Sequence, residues 1–567
     1  MKKSVSHIQA LVIAAAALLL YYRSLFFSYT LDDLIHVAVP AMHIPEGIIN
    51  AVISPSWPGN LYRPLPVLSY GLSYLLAGDY AWPQHLVNIL LHAANAAMLF
   101  YLLLKVTERK IAFFIAAAFA AHPNFTEAVA SINGRSELMA FFFGIGAILS
   151  AANIYTVNSE KVLLWLIYFS SCFLAFLSKE SALVLPLLIL LYLRFIRRFE
   201  NRRIALKLAF TAVAAAVLFL LLRIYALGGI FGNIKFNYLD NPLIALSLPE
   251  RIINALILLG RYIAQIILPI NPSADYSFAM LKPVESYYQI DILVYLYLVL
   301  VVAVTAIYGI SKTTNTLAFF SQWFLCSFLI TANILFPIGT IFGERLTYLP
   351  SIGIIGFVVF GIYKYFPESL GRVLIAFWLV YLAVTTTQYL PNWKNNRTLF
   401  SYQINVSPES AKTQHNYGII MRNEGKLALA ERSFNRAIEI YPDYADPYFG
   451  IATVYLARGD TVSGMSYIEK ALHINPQYIP ALDRKARILF NVGELKKAEE
   501  IFARILKADK FNLAAQNGML AIALVKKDRS RIRKIIDNIK NLASYDSETK
   551  TLLLKAKNFL AATDVED

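Results

Sequence analysis

Two adjacent carboxylates, Asp32 and Asp33, directly follow a hydrophobic span running from Ile8 to Phe27. At about 1.5 Å per residue, that span is long enough to cross a hydrocarbon core of about 30 Å, so the acids stand where a membrane helix surfaces. An ionised group beside lipid is costly unless it faces water or a protein cavity, which makes such acids functional candidates. A carboxylate in that position can take a proton from a hydroxyl, and burial that raises its pKa suits it to do so near neutral pH. With His36 and His43, the pair could instead offer oxygen and imidazole ligands. No tight ligand spacing supports a metal, so neither a metal nor another cofactor is expected, and both histidines read more simply as loop residues. The competing reading of the acidic pair is a solvated loop.

Further polar groups gather at the ends of other apolar stretches: Tyr62-Arg63-Pro64, the segment His122-Pro123 through Glu137 with Glu127 and Arg135, Lys179-Glu180, Ser273-Ala274-Asp275-Tyr276, and Glu344-Arg345. Each has an ordinary explanation, since arginines snorkel and acids cap helices. Their convergence with Asp32-Asp33 on one face of a membrane is harder to dismiss. No G-x-S-x-G, P-loop or paired-cysteine zinc motif is present.

The elements that must position these groups follow from composition. Of 567 residues, 57% are hydrophobic and 14% aromatic, as in a polytopic membrane protein. The net charge of +15 is spread along the chain, with 25 basic against 17 acidic residues before Asn392 and 27 against 20 from there on. That spread fits loops beside anionic headgroups of a bilayer and argues against nucleic acid as a partner. Cys172 and Cys326 both lie in apolar spans, so no disulfide framework is implied.

Apolar spans are expected at about Ile8–Phe27, His85–Leu104, Ile111–Ala121, Leu138–Tyr155, Val162–Leu177, Ala182–Phe195, Ile204–Leu227, Ile290–Ile310, Leu317–Pro337, Ile352–Tyr363 and Val373–Leu390, eleven in all. A further apolar stretch, Leu248–Pro269, carries Arg251, Asn254, Arg261 and Gln265 on one narrow stripe. Such a helix can lie in the interface or line a cavity without crossing. With the N-terminus inside, the inner loops are Lys105–Lys110, Thr156–Lys161, Arg194–Arg203, Ser311–Thr316 and Lys364–Arg372, and the third of these holds five arginines. This agrees with the bias of Lys and Arg toward the cytoplasm, and it puts every candidate cluster and the C-terminal region outside.

After Leu390 a period of 34 residues appears, in blocks Ala411–Tyr444, Ala445–Tyr478 and Ile479–Asn512. Small residues recur at Gly418, Ala452 and Ala486, turn glycines at Gly425, Gly459 and Gly493, and prolines at Pro442 and Pro476. This is the register of tetratricopeptide repeats, stacked helix pairs whose small residues allow close approach. Residues after 513 read as a helical cap, and Asn392–Pro408 as the second helix of a degenerate repeat. The expected division is therefore residues 1–391 as a membrane domain and 392–567 as a repeat domain held close over the outer surface. The basic run Lys526–Lys534 is read as a solvated helix face, with membrane contact as the alternative.

Asp32-Asp33 after the first span resembles the acidic motif in the first outer loop of GT-C membrane glycosyltransferases. More specific are Tyr62-Arg63-Pro64-Leu65, His85-Leu86-Val87-Asn88 with His92, His122-Pro123-Asn124-Phe125-Thr126-Glu127, Gly134-Arg135-Ser136-Glu137, Lys179-Glu180, Ser273-Ala274-Asp275-Tyr276 and Glu344-Arg345-Leu346-Thr347-Tyr348. Together with the repeats, these are similar to the transmembrane and tetratricopeptide-repeat-containing protein O-mannosyltransferases. Family members often carry more than the three clear repeats found here. The resemblance implies an all-α fold: a polytopic GT-C-type bundle of about eleven spans, then an α-solenoid. It also implies a polyprenyl-phosphate sugar as donor, mannose by family, and Ser or Thr hydroxyls of extracytoplasmic proteins as acceptors.

On that reading Asp32 is chosen as the base, with Asp33 assisting it or orienting the acceptor, and the sequence leaves open which carboxylate does which. Arg63, Arg135, Lys179 and Arg345 are candidates for the donor phosphate, because guanidinium and ammonium groups stabilise a departing phosphate. Their competing role is ion pairing with Glu137, Glu180 or Glu344. His122, Glu127, Glu137, Glu180, Asp275, Tyr276 and Glu344 support the site, and Tyr62 is an interface anchor. Direct transfer with inversion is the economical mechanism, the repeat groove presenting the acceptor. The alternatives are a non-enzymatic repeat scaffold anchored for envelope assembly, or the same chemistry on a glycan or lipid. The N-terminus is expected in the cytoplasm and the repeats outside a plasma membrane, or in the lumen of the endoplasmic reticulum if the chain is eukaryotic.

Overall fold

The computed structural model describes residues 2–37, 45–55, 61–197, 200–229, 236–284, 287–312, 314–509, 512–540 and 547–564. The fold is all-α, 79% helix, with no strand among the described residues. Contacts divide it into two units, Met1–Ser407 and Pro408–Asp567.

In the first unit each of the eleven expected apolar spans contains a helix, but the one expected at Leu317–Pro337 ends at Phe328, and residues 329–337 form turns and irregular chain. Among the described residues, six apolar helices are long enough to cross a membrane: Ser4–Phe26, Ala81–Leu103, Ile132–Val157, Arg202–Leu227, Ile290–Ser311 and Glu368–Lys394. The other five, Arg109–Ala120, Val162–Ser178, Leu185–Arg197, Thr316–Phe328 and Ser351–Tyr365, have 12 to 17 residues. At about 1.5 Å per residue these reach only part of a bilayer. Irregular turns extend them, such as the 3-10 turn Glu180–Val184 that leads into Leu185–Arg197. An unanticipated apolar helix, Pro64–Ala77, starts on a proline whose fixed φ suits a first helical turn. In lipid, close packing holds such helices together, because lipid tails are as apolar as the side chains. Arg135–Val157 accordingly turns Ala140, Gly144, Ala147 and Ala151 inward at helical spacing.

Loops expected on one side meet one another. Lys110 Nζ lies 3.0 Å from Glu368 Oε1, the Asn201 N–H donates to Tyr155 Oη at 2.8 Å, and Arg194 Nη2 donates to the Ile310 carbonyl at 2.5 Å. The candidate site groups meet at the opposite ends of these helices. Leu248–Ile267 touches that second face at both of its ends. Asn254 Oδ1 accepts from the Val284 N–H at 2.8 Å, and the Ile266 carbonyl accepts from His122 Nε2 at 2.8 Å. Its polar stripe meets the loops on that face, with Arg261 over the Tyr276 ring and Gln265 bonded to Glu344.

The helix Asn396–Val406 differs from expectation. Rather than opening the solenoid, it belongs to the first unit, because Asn396 Oδ1 accepts from the Leu31 N–H and Gln403 and Ser407 bond Ser273. The boundary therefore falls after Ser407 and not at 391.

The second unit stacks helix pairs Ala411–Asn423/Leu427–Ile440, Ala445–Ala457/Thr461–Ile474 and Ile479–Asn491/Leu495–Ala508. The segment expected as a cap forms a further pair, Leu513–Val525/Arg529–Lys540, followed by Ser547–Asp564. Phe434 packs against Gly418 and Gly450, leaving no room for a Cβ at either, and its full burial contributes about 2–3 kcal/mol. Gly425, Gly459 and Gly493 turn the chain between paired helices at φ of 75°, 84° and 84°, where other residues are strained.

Candidate functional site

The Tyr29–Asp33 turn is pinned from both sides. The Ser28 N–H donates to the Lys394 carbonyl at 2.9 Å, and the Leu31 N–H to Asn396 Oδ1 at 2.9 Å. Leu31 takes a φ of 46°, the left-handed region that few non-glycine residues adopt, and the two neighbouring carboxylates part company after it. Asp33 turns inward and is fully buried. Its Oδ1 accepts from the Asn133 N–H at 2.7 Å and Ser131 Oγ at 3.0 Å, and its Oδ2 from the Thr30 N–H at 3.1 Å. Burial pushes its pKa up to about 6, against the pull of those hydrogen bonds. Gly134 closes this anchor, since a Cβ there would collide with the Ala128 carbonyl.

Asp32 is half-buried, and among the described residues its carboxylate makes no hydrogen bond or ion pair. It lies within electrostatic reach of His36, Glu127 and Arg345. The acid chosen as base is thus the open one, and its neighbour is a structural anchor.

Three of the candidate cations are already paired. Arg63 grips Glu180 bidentately, Nε–Oε2 at 3.0 Å and Nη2–Oε1 at 2.6 Å, with side chains 18% and 30% exposed. Lys179 pairs with Glu137 in a nearly dry setting, and Arg345 pairs with Glu127. None of these cations takes its neighbour in sequence, for which Lys179-Glu180 and Glu344-Arg345 offered the obvious choices. Burial lowers the Lys179 pKa, opposed by Glu137. Burial also raises Glu127, opposed by Arg345 and reinforced by Asp32. Glu180 is held below its ordinary value because Arg63 and Lys179 outweigh its burial. Arg63, Lys179 and Arg345 lie within one another's fields together with Glu137, and Asp32 joins this cluster through Arg345.

Arg135 stands apart from it. Its guanidinium is fully buried, bonded to Asn88 Oδ1 at 2.9 Å, Ser69 Oγ at 3.0 Å and Gln84 Oε1 at 2.8 Å, and lies over the Tyr70 ring. With Nε, Nη1 and Nη2 all engaged inside the protein, it is placed as a framework strut and not as an open phosphate contact. Tyr62 is likewise buried, stacked on Phe219. His122 joins two segments, its Nδ1 accepting from the Asn124 N–H while Nε2 donates to Ile266, and burial lowers its pKa to about 4.

Glu344, Tyr276 and Asp275 belong to a second network. Glu344 is buried, with Oε1 accepting from Tyr276 Oη at 2.5 Å, the Ser273 N–H at 2.9 Å and Gln265 Nε2 at 3.3 Å. Its Oε2 is buried without a hydrogen-bond partner among the described residues, and burial raises its pKa to about 8. Ser273 Oγ continues the network to Gln403 and Ser407, while Asp275 Oδ1 accepts from the Ser277 N–H. This network ties the helix Asn396–Val406, and through Asn396 the Asp32 turn, to the loops that carry Ser273, Tyr276 and Glu344.

Two contributors escaped the sequence reading: Asn396, which holds the turn, and Arg223, within electrostatic reach of Arg63 and Glu180. A lone arginine inside an apolar helix was the signal for the second. Among the described residues, no three His, Cys, Asp or Glu side chains gather closely enough to hold a metal ion, and His43 lies outside those residues.

A multi-pass bundle with a charge cluster at its helix ends, followed by an α-solenoid, defines the class of protein. Tetratricopeptide-repeat family models match residues 411–444 and 455–522. A protein O-mannosyl-transferase of Caenorhabditis elegans is 28% identical over 390 residues, covering 68% of this chain and 54% of its own length. Protein O-mannosyl-transferase TMTC3 of Homo sapiens is 24% identical over 539 residues, covering 86% of this chain and 58% of its own. The chain thus spans little more than half the length of these relatives. Among solved structures, an Archaeoglobus fulgidus oligosaccharyltransferase aligns over 73% of this chain and 59% of its own at 12% identity, with a TM-score of 0.38. The chain is thus similar to the transmembrane and tetratricopeptide-repeat-containing O-mannosyl-transferases, the family its motifs resemble.

Proposed function

We propose that this protein is a GT-C-type membrane glycosyltransferase that moves a sugar, mannose, from a polyprenyl-phosphate carrier to Ser or Thr hydroxyls of proteins outside the cytosol. The reading is carried by the open Asp32 carboxylate within reach of Arg345 and, through it, of a cluster of paired cations, while Asp33 is spent on anchoring the turn. The names of the relatives support the same chemistry.

Asp32 takes the proton as the acceptor oxygen attacks the anomeric carbon, and the bond from that carbon to the phosphate oxygen breaks with its electron pair on the phosphate. A single displacement inverts the anomeric centre. The departing polyprenyl phosphate gains negative charge, and Arg345 and Arg63, the more exposed cations, are placed to stabilise it. Lys179, almost dry beside Glu137, acts on the same charge from behind. No metal is required by this scheme. The repeats bind the acceptor chain. The N-terminus lies in the cytoplasm and the repeat unit outside it.

The test is transfer of labelled mannose from synthetic polyprenyl-phosphate-mannose to an acceptor protein by the purified chain, run with and without chelator. Labelled protein supports the reading, and label appearing only on glycan or lipid would replace the acceptor class. A wild type inert with every lipid-linked sugar would overturn the reading.

A further inference from the structure

Arg422 lies in the last turn of the helix Ala411–Asn423, and neutral groups hold its guanidinium. Nη1 donates to Thr453 Oγ1 of the next helix pair at 2.9 Å, while Nη2 and Nε donate to Asn423 Oδ1 at 3.0 and 3.3 Å. These bonds use one N–H of each nitrogen, which leaves a second on Nη1 and on Nη2. Among the described residues no carboxylate pairs with Arg422. Burial lowers its pKa, and the like charge of Arg484, on the helix Ile479–Asn491, lowers it further. Arg484 is exposed and, among the described residues, makes no hydrogen bond or ion pair. The acids nearest in sequence are engaged elsewhere. Glu424 accepts from Lys426 Nζ at 2.7 Å, Asp446 from Tyr478 Oη at 2.9 Å and Asp483 from Arg487 Nε at 2.9 Å.

Adjacent packed helices lie about 8–10 Å apart, and alternate ones about twice that. Arg422 and Arg484 act on each other across the intervening helix Ala445–Ala457, so both stand on the inner side of the solenoid's curve. A second reach across an intervening helix follows further along. Arg487 Nη1 lies 2.6 Å from Glu548 Oε1 of the helix Ser547–Asp564, passing Leu513–Val525, whose Asn517 Nδ2 donates to Thr549 Oγ1 at 2.7 Å. The concave face thus already holds one carboxylate, on an arginine, where a segment of polypeptide lies against it.

We propose that Arg422 and Arg484 form an anion subsite on the concave face of the repeats, which takes an aspartate or glutamate side chain of an acidic protein segment lying in the groove. The inference rests on the reading that the repeats bind the acceptor, and it narrows that acceptor to proteins with acidic residues in the segment the repeats hold. A guanidinium with an N–H free on each terminal nitrogen matches the two oxygens of a carboxylate. A polypeptide carboxylate is the ligand because Glu548 is one, held on the same face, and because a curved groove fits a chain and not the plane of a bilayer.

The experiment uses the full chain in detergent with a fluorescent Glu-rich peptide as the probe, its Gln counterpart as control, and phosphatidylserine in mixed micelles as competitor. Losing one charge-assisted contact weakens binding about 10- to 100-fold, and losing an exposed cation about 2- to 5-fold. Arg422→Gln and Arg484→Gln should weaken the Glu peptide by those two amounts, and the Gln peptide should bind all three forms alike. Arg422 also ties two repeats together, so Arg484→Gln decides the case if the other variant does not fold. Glu and Gln peptides bound equally by the wild type, variants that bind the Glu peptide as the wild type does, or displacement by phosphatidylserine would each overturn the subsite and leave the transferase reading standing. A Glu peptide that binds with the expected dependence yet does not inhibit transfer to an acceptor protein would uphold the subsite and remove the acceptor from the groove.

Discussion

Glu344 makes the stability of the membrane unit depend on pH in a direction that can be worked out. Its carboxyl is buried, and its pKa is raised from an ordinary 4.5 to about 8. Below about pH 4.5 both folded and unfolded chains carry the proton, and the full stability is present. As pH rises toward 8, the unfolded carboxyl ionises while the buried one keeps its proton, so stability falls, and the loss is complete above the folded value. At about 1.4 kcal/mol per pH unit, the whole interval is worth roughly 5 kcal/mol, of which about 3 kcal/mol falls between pH 6 and 8. That upper window matters because Asp33, raised by burial to about 6, makes its own contribution below it. Glu344→Gln keeps an oxygen to accept from Ser273 and Tyr276 but cannot ionise. Thermal and denaturant midpoints of the full chain, measured from pH 4.5 to 8.5, should decline for wild type and lose most of their slope between pH 6 and 8 in the variant. Equal slopes in that window would show that Glu344 is ionised in the folded chain, refuting the reasoning.

The buried Lys179–Glu137 pair should behave as a unit. Lys179→Met leaves a carboxylate uncompensated and should cost about 3–5 kcal/mol in denaturant unfolding, much of it regained on adding Glu137→Leu; equal losses in single and double variants would deny the coupling. In the repeat unit, Gly459→Ala at a φ of 84° should destabilise the chain by about 1–2 kcal/mol, with no change in donor KM. An unchanged unfolding midpoint would mean that the turn relaxes.

The repeats were legible to the residue because their signal is local. Gly425, Gly459 and Gly493 are turn glycines, and Ala430, Gly464 and Ala498 are buried small residues, at a spacing the chain states directly. The apolar spans were open to reading in place, apart from Pro64–Ala77, whose prolines and tyrosines interrupt its hydrophobic run, and from Leu317–Pro337, whose helix ends at Phe328 although the apolar run continues. The ends of Asn396–Val406 also follow from sequence, but its allegiance does not. The 34-residue period continues through it, while its side chains answer to Leu31 and Ser273, 365 and 130 residues away in the chain. The members of the candidate site could be nominated because polar residues at apolar span ends are rare. Their pairings could not be read, since Arg345 passes over adjacent Glu344 to reach Glu127, and Lys179 passes over Glu180 to reach Glu137. Adjacent side chains diverge, and only the tertiary fold decides which way each one turns. The same divergence separates Asp32 from Asp33, and the sequence carries no mark of it beyond the turn itself.

The central claim is that Asp32 is the base of a sugar transfer from a lipid phosphate. Its most direct test is transfer of labelled mannose from polyprenyl-phosphate-mannose to protein by purified wild type and Asp32→Asn, the fold of each checked by unfolding midpoint. Loss of a positioned general base costs about 100- to 10,000-fold. Wild type should label the acceptor, and the folded variant should fall by that order with its affinity for the lipid phosphate intact. A folded Asp32→Asn that transfers sugar at the wild-type rate would contradict the account.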